Sequence, residues 1–301
     1  MFRKITSITN YLKLGLLIVL NSVVLSSQAS SLERHIFVNG KDRSYIVYLP
    51  ENAQQKNNLS VIFAFHPFLG SGKGFSEQTG FSSLPEASNF IFVFPDGYRR
   101  SWNAGECCGA AAKKNVDDVE FVKEIFKDLQ RFVSVSKEHN FAVGFSNGAM
   151  FSQKLVCHMS ERFAGFAVSA GLYKLDGSCY LKRPVSALFM SGLEDPFAPF
   201  YGGESLAGGG ERPGVPYISE AWAKKESCKS QYQTSLAKDV SCMSYGECLG
   251  GSRIISCPIP HMGHWWPGQK GNSFAKKKFG PDRPDLPISR EVLKFFLSLL
   301  P

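Results

Sequence analysis

The sequence lacks the features that mark zinc-binding, nucleic-acid-binding and repeat proteins. Its cysteines form no C-x-x-C pair and no Cys/His spacing of a zinc site, so we expect no metal. It has no basic helix and no interleaved basic and aromatic residues, which argues against nucleic acid as a partner. Repeats, low-complexity segments and Thr/Ser-rich linkers are also absent. These absences favour one globular domain over an array or a multi-module chain.

An excess of positive charge is present but small. Lys and Arg total 34 against 26 Asp and Glu, a formal charge of +8. The short clusters Lys113-Lys114 and Lys276-Lys277-Lys278 are interpreted as solvated loop faces rather than a nucleic-acid footprint.

Residues 1–29 predict a signal peptide. Arg3, Lys4 and Lys13 supply the positive end, Leu14 to Leu25 an apolar stretch, and Ser27-Gln28-Ala29 a small-x-small cleavage site. The apolar stretch is shorter than the roughly 20 residues of a membrane span. We expect a secreted protein, extracellular or periplasmic, with no membrane span after cleavage; an uncleaved anchor is the alternative. About 270 residues remain, which suits a single α/β domain over residues 30–301.

The cysteine count is even, which in an exported chain predicts disulfides. A bridge between neighbours is strained, so Cys107 and Cys108 are expected to bond to different partners. All eight cysteines follow the leader: Cys107, Cys108, Cys157, Cys179, Cys228, Cys242, Cys248 and Cys257.

Apolar, strand-like runs alternate with helical patterns along the rest of the chain. This alternation predicts a mainly parallel sheet with helices on both faces. The first two runs lie close together and predict an antiparallel hairpin. The strand-like runs are 35–38, 45–49, 61–65, 90–94, 141–145, 185–190 and 254–259, and the helical patterns are 116–133, 147–159, 218–225 and 289–300.

The fifth apolar run ends in Gly144-Phe145-Ser146-Asn147-Gly148, a Gly-x-Ser-x-Gly motif followed by a helical pattern. A strand, this motif and a helix together are typical of a nucleophile elbow, a sharp turn that exposes one serine above a sheet. Side chains two residues either side of that serine have no room, which explains Gly144 and Gly148. Ser146 is therefore the candidate nucleophile.

A serine nucleophile needs a base to take its proton and an acid to hold that base. In this layout the chain order is Ser, then Asp or Glu, then His. His264, in a loop flanked by Gly263 and Trp265-Trp266, is the preferred base, with His261 as the alternative. Asp195, held extended before Pro196, is the preferred acid, with Glu194 as the alternative.

Acyl transfer also needs N–H groups that bind the oxyanion. One is expected from the backbone of Asn147, just after the nucleophile. The second is expected from the loop after an early strand, where Pro67 has no N–H and Phe68 becomes the candidate. His66 is expected to shape this loop rather than act as a base.

Two further groups have competing interpretations. Asp117 and Asp118 resemble a carboxylate pair, but they precede a helix and are expected to stabilise its start and to anchor a loop. Trp102, Trp265 and Trp266 are candidates for an aromatic, substrate-binding wall, with ordinary packing as the alternative.

Several motifs together resemble one family, the secreted polyhydroxybutyrate depolymerase and feruloyl esterase-like α/β-hydrolases. The similarity runs from about Arg43 to Leu300. The early loop departs from the family pattern, reading His66-Pro67 where His-Gly is usual. The matching motifs are Pro95-Asp96-Gly97, Trp102-Asn103, Cys107-Cys108-Gly109, Val116-Asp117-Asp118-Val119, Gly144 to Met150, Asp195-Pro196, Tyr201-Gly202-Gly203, Trp222-Ala223 and Gly263-His264-x-Trp266-Pro267-Gly268.

The resemblance implies an α/β-hydrolase fold, with Ser146, Asp195 and His264 as nucleophile, acid and base. It also implies a disulfide from Cys107 or Cys108 to Cys157, and one from Cys228 to either Cys248 or Cys257.

The expected activity is that of a secreted serine carboxylesterase that needs no metal or organic cofactor. The expected partner is an ester substrate, first a hydroxyalkanoate polyester or oligomer. The alternative is a feruloyl or acetyl ester on plant polysaccharide. An acyltransferase and a catalytically silent binding protein are the alternatives outside hydrolysis.

Overall fold

The computed structural model describes residues 30–105, 107–175, 177, 179–206 and 211–301. The signal peptide expected over residues 1–29 lies outside this part of the chain. The strands are β1 (Ser30–Val38), β2 (Lys41–Leu49), β3 (Ser60–Phe65), β4 (Phe90–Pro95), β5 (Asn140–Phe145), β6 (Phe163–Ser169), β7 (Ser186–Gly192), β8 (Gly203–Glu204), β9 (Glu211–Arg212), β10 (Ser230–Ala237), β11 (Val240–Gly246) and β12 (Ile254–Ile259). The helices are α1 (Gly72–Thr79), α2 (Gly109–Lys113), α3 (Asp118–Leu129), α4 (Asn147–Met159), α5 (Val215–Lys225), α6 (Ser273–Phe279) and α7 (Ser289–Leu297).

A ten-stranded sheet forms the centre of the molecule, in the order β1-β2-β4-β3-β5-β6-β7-β12-β11-β10. The strands from β4 to β12 in this order run parallel, and antiparallel pairs extend the sheet at both edges. The mainly parallel sheet and the hairpin at its start are thus confirmed. Because β3 to β7 are buried along their whole length, they read in the sequence as continuous apolar runs.

Two apolar layers cover the faces of this sheet. Alternate residues of β3 point to opposite sides, so Phe63 joins one buried cluster and Ile62 the other. Helices α3, α4 and α5 pack in the first cluster, and α1 and α7 in the second. The parallel pairing places the carboxyl ends of these strands, and the loops that follow them, at one edge of the sheet.

Four disulfides join the eight cysteines, and two of the expectations about them are wrong. Cys107 and Cys108 bond to each other, and Cys157 on α4 bonds to Cys179, whose Cα lies 4.7 Å away. Cys157 is thereby engaged from the loop after β6, which leaves Cys107 and Cys108 only each other as partners. The remaining bonds are Cys228–Cys248, one of the two expected alternatives, and Cys242–Cys257 between β11 and β12.

Candidate active site

Ser146 lies at a sharp turn between β5 and α4, with φ 54° and ψ −119°. Its N–H donates to the Ser169 carbonyl on β6 at 2.9 Å, which holds the turn against the neighbouring strand. A Cβ on Gly148 would lie 2.0 Å from the Phe65 carbonyl oxygen, and one on Gly144 would lie 2.2 Å from that of Gly148. The motif's two glycines are therefore required by close backbone contact, as the sequence predicts.

The side chains of Ser146, His264 and Asp195 form one hydrogen-bonded chain. Nε2 of His264 lies 2.9 Å from Ser146 Oγ, and its Nδ1 lies 2.8 Å from Asp195 Oδ2. Asp195 follows β7 and His264 follows β12, the strand beside it, so the carboxyl ends of parallel strands bring the three groups together. The Asp195 side chain is buried and His264 is 11% exposed, which leaves the imidazole edge accessible.

Asp195 is held by more than the imidazole. Its Oδ1 accepts the backbone N–H groups of Phe197 and Ala198, each at 2.8 Å. The rings of Phe145 and Phe197 lie 5.1 Å and 5.3 Å from the His264 ring. These contacts restrict both the carboxylate and the imidazole to the orientation that faces Ser146.

The alternative acid and base form a separate pair. His261 Nδ1 lies 3.2 Å from Glu194 Oε1, and the His261 side chain is 83% exposed. This pair sits at the surface and makes no contact with Ser146 among the described residues. Of the two candidate pairs that the sequence offers, only Asp195 and His264 reach the serine.

The chain is similar in sequence to known feruloyl esterases. No family model matches the chain. It is similar to feruloyl esterase B of Piromyces equi, 28% identical over 249 residues that cover 78% of this chain and 45% of that protein. It is also similar to feruloyl esterase D of Neurospora crassa, 29% identical over 170 residues, covering 52% of this chain and 55% of that protein. The chain thus spans about half the length of these curated relatives.

The acetyl xylan esterase structure from Aspergillus awamori superposes with a TM-score of 0.60 at 14% identity, covering 83% of this chain and 99% of that one. The chain has the α/β-hydrolase fold. Its similarity in sequence to two feruloyl esterases supports an ester-hydrolysing enzyme with this fold.

The loop after β3 in this α/β-hydrolase is fixed by His66. Its Nε2 accepts the Gly97 N–H at 2.9 Å, so the proton resides on Nδ1, which donates to the Pro67 carbonyl at 2.8 Å. Burial lowers the pKa of His66 and keeps the ring neutral. His66 thus shapes the loop, as expected, and does not approach the reacting groups.

The same loop carries the candidate second oxyanion donor. The N–H of Leu69 donates to Arg100 and that of Gly70 to Pro67, so both are already engaged. Phe68 and Asn147 line one cavity together with Ser146. Asn147 begins α4, where first-turn N–H groups have no intrahelical acceptor. The N–H groups of Phe68 and Asn147 stay the predicted donors.

The Asn147 side chain has a structural task of its own. Its Oδ1 accepts the Trp102 N–H at 2.8 Å and its Nδ2 donates to the Trp102 carbonyl at 3.1 Å. The Trp102 indole donates in turn to the His66 carbonyl at 3.0 Å. Asn147 therefore ties α4 to the long loop after β4, and the Trp102 indole ties that loop to the loop after β3.

A cavity of about 590 Å³ opens above Ser146 and His264. Trp265 lines it, but Trp102 and Trp266 are buried in the core and do not, which corrects the prediction of a wall built from all three. The wall is formed instead by side chains for which no substrate-binding role was predicted: Phe145, Met150, Leu172, Phe197, Phe279 and the Cys107–Cys108 disulfide.

The acidic pair before α3 has the expected structural roles. Asp117 caps the helix by accepting the Glu120 N–H at 2.9 Å. Asp118 is buried and accepts a hydrogen bond from Arg43 at 2.8 Å and one from the Asn103 N–H at 2.8 Å. The pair thus anchors the loop that contains Trp102.

The described residues contain neither a metal-binding cluster nor a membrane-spanning helix. In residues 30–105, 107–175, 177, 179–206 and 211–301, no three His, Cys, Asp or Glu side chains are grouped as a metal site would require. Within the same ranges, no helix is long and apolar enough to cross a bilayer.

Proposed function

We propose that this chain is an exported serine carboxylesterase that hydrolyses feruloyl-type esters carried on plant polysaccharide. The observation that carries the proposal is the hydrogen-bonded chain from Ser146 Oγ through His264 to Asp195, at the floor of a largely apolar cavity. An α/β-hydrolase needs these three groups, in this order along the sequence, to cleave an ester.

The reaction begins when Ser146 Oγ attacks the ester carbonyl carbon. His264 Nε2 accepts the serine proton, and Asp195 stabilises the imidazolium through the 2.8 Å contact to Nδ1. The negative charge that forms on the carbonyl oxygen is bound by the N–H of Asn147, with the N–H of Phe68 as the second donor. His264 then returns the proton to the departing alcohol oxygen.

A water molecule then hydrolyses the acyl-enzyme. It loses a proton to His264 as it attacks the acyl-serine carbonyl. His264 then gives that proton to Ser146 Oγ as the acyl–oxygen bond breaks, which releases the carboxylic acid and free Ser146. The chemistry is complete with the side chains named, so the prediction that no metal or organic cofactor takes part is retained.

The size and lining of the cavity support an aromatic acyl group over an acetyl group. A volume of about 590 Å³ lies within the range of sites that enclose drug-sized ligands, roughly 300–1,000 Å³. An acetyl group would leave most of this space to water, whereas a phenylpropenoyl group can pack against the rings beside His264. The two relatives named as feruloyl esterases also favour this prediction over the hydroxyalkanoate polyester prediction.

We also propose that the protein is exported from the cytoplasm. The leader pattern over residues 1–29 predicts it, and every cysteine is disulfide-bonded, as suits an oxidising compartment. We place the mature esterase over residues 30–301 as one domain.

A turnover panel tests the proposal. Methyl ferulate, acetylated xylan and hydroxybutyrate oligomers would be compared, with Ser146→Ala as the control. We expect kcat/KM to be highest for methyl ferulate and the activity to vanish in Ser146→Ala. Hydrolysis that survives this substitution would end the mechanism, and a higher kcat/KM on hydroxybutyrate oligomers would overturn the substrate assignment. Addition of an alcohol acceptor separates a hydrolase from an acyltransferase by product analysis.

A further inference from the structure

Helix α6 forms part of the cavity mouth. Lys278 and Phe279, at its carboxyl end, line the cavity together with Ser146 and His264. The Phe279 carbonyl accepts the His264 N–H at 2.6 Å, and its ring lies 5.4 Å from that of Phe197. The helix is therefore fixed directly to the loop that carries the base.

The two faces of α6 differ sharply. Ala275 and Phe279 pack against the core beneath the helix. Phe274, Lys277 and Lys278 are related by three and four positions and so are neighbours on the helix surface, where the Lys278 ammonium also lies 5.3 Å from the Phe279 ring centroid. Phe274 is 81% exposed. The exposed face thus combines one bare ring with two ammonium groups.

The charge on this face is not neutralised within the described residues. Lys276 pairs with Asp282, whose other oxygen accepts the Gly271 N–H at 2.7 Å, so that acid is engaged. No ion pair within the described ranges involves Lys277 or Lys278. Glu204 and Glu211 are exposed on the β8–β9 hairpin, which also contributes to the cavity through Arg212. Among the described residues, the cations that line the cavity are therefore Lys278 of α6 and Arg212 of β9, and Lys277 is the neighbour of Lys278.

We propose that this face of α6 binds the sugar chain that carries the ester, and that it selects chains bearing uronic acids; this rests on the proposed esterase function. An aromatic ring packs against the apolar face of a pyranose, and ammonium groups beside it bind a carboxylate. Because the cavity takes the acyl group, the group recognised at its mouth belongs to the alcohol part of the ester. A uronate-bearing polysaccharide supplies both the sugar face and the anion.

The test compares two feruloylated oligosaccharides with the same ester, one of neutral sugars and one carrying a uronate. The readout is the ratio of their kcat/KM values. We expect wild-type protein to prefer the uronate substrate, and Lys277→Gln/Lys278→Gln to lower that preference about five-fold, the combined effect of two exposed charge pairs. The preference should also fall as salt is raised from 0.01 to about 0.15 M. Phe274→Ala should lower kcat/KM about three-fold on both oligosaccharides.

The matched control removes two lysines elsewhere. Lys137 and Lys229 are exposed, and Lys137 precedes β5 at the end of the strand opposite to Ser146. Lys137→Gln/Lys229→Gln should leave the ratio unchanged. An equal loss in this control, or a wild-type ratio within two-fold of one, would overturn the inference. So would binding of α6 to vesicles of anionic lipid that Lys277→Gln/Lys278→Gln abolishes without changing the ratio. Hydrolysis of methyl ferulate reports on the proposed function separately, since that substrate has no sugar.

Discussion

Replacing Asp195 with asparagine tests the role of this carboxylate directly, because the surrounding hydrogen bonds determine how the new amide is oriented. Oδ1 accepts two backbone N–H groups, from Phe197 and Ala198, each at 2.8 Å. Only the carboxamide oxygen can accept from them. The amide NH₂ must then occupy the Oδ2 position, 2.8 Å from Nδ1 of His264.

This orientation places the His264 proton on the wrong nitrogen. An NH₂ group donates, so Nδ1 must accept and Nε2 keeps the hydrogen. Nε2 then cannot take the proton of Ser146, from which it lies 2.9 Å away. In serine proteases the same error of tautomer lowers kcat about 10⁴-fold, which corresponds to about 5.5 kcal/mol of transition-state stabilisation. We expect a loss of that order here.

Steady-state hydrolysis of methyl ferulate measures the effect, and a thermal melt verifies that the variant is folded. Glu194→Gln is the matched control, since the Glu194 side chain pairs with the exposed His261 side chain and lies one residue away from Asp195. It should change kcat less than two-fold. A folded Asp195→Asn protein that keeps activity within ten-fold of wild type would refute the assignment of Asp195.

Three further predictions concern stability. Gly148→Ala places a Cβ 2.0 Å from the Phe65 carbonyl oxygen, so we expect no soluble folded protein; a normal circular dichroism spectrum and thermal midpoint would contradict this. Trp102→Phe leaves the buried His66 carbonyl without its 3.0 Å indole donor and should lower the free energy of unfolding by about 2 kcal/mol in urea. Burial raises the pKa of Glu226 above its ordinary value, so its native state loses stability as pH rises through that raised value. Glu226→Gln does not titrate, so its free energy of unfolding relative to wild type should rise from pH 4 to pH 8; a constant difference would count against this.

Local signals in the sequence predicted the elbow and much of the sheet. Helix α4 spans Asn147–Met159, the same bounds as the predicted pattern, because the motif marks the turn before it and the apolar residues repeat along it. The parallel strands other than β6 were predicted because burial on both faces makes them largely apolar. The roles of Ser146, Asp195 and His264 were predicted from the motif, from chain order and from the residues beside them, and the structure brings the three side chains into contact.

Other features depend on contacts that no local pattern reports. Strand β6 was missed because Gly165 interrupts its apolar run, and β10 because it is a polar edge strand. The burial of Trp102 is decided by hydrogen bonds to Asn147 and His66, both distant in sequence. Disulfide pairing likewise depends on which loops meet, so the prediction for Cys157 was wrong.

The backbone of Ser146, at φ 54° and ψ −119°, has a consequence for how robust this protein can become. Residues with a side chain pay roughly 1–3 kcal/mol to adopt such dihedrals, whereas glycine adopts them freely. A glycine at this position should therefore give a longer-lived but inert fold, more resistant to urea than one with alanine there. Keeping the reactive hydroxyl at this position therefore lowers the free energy of unfolding. Better packing elsewhere can raise the total stability but does not remove this local cost.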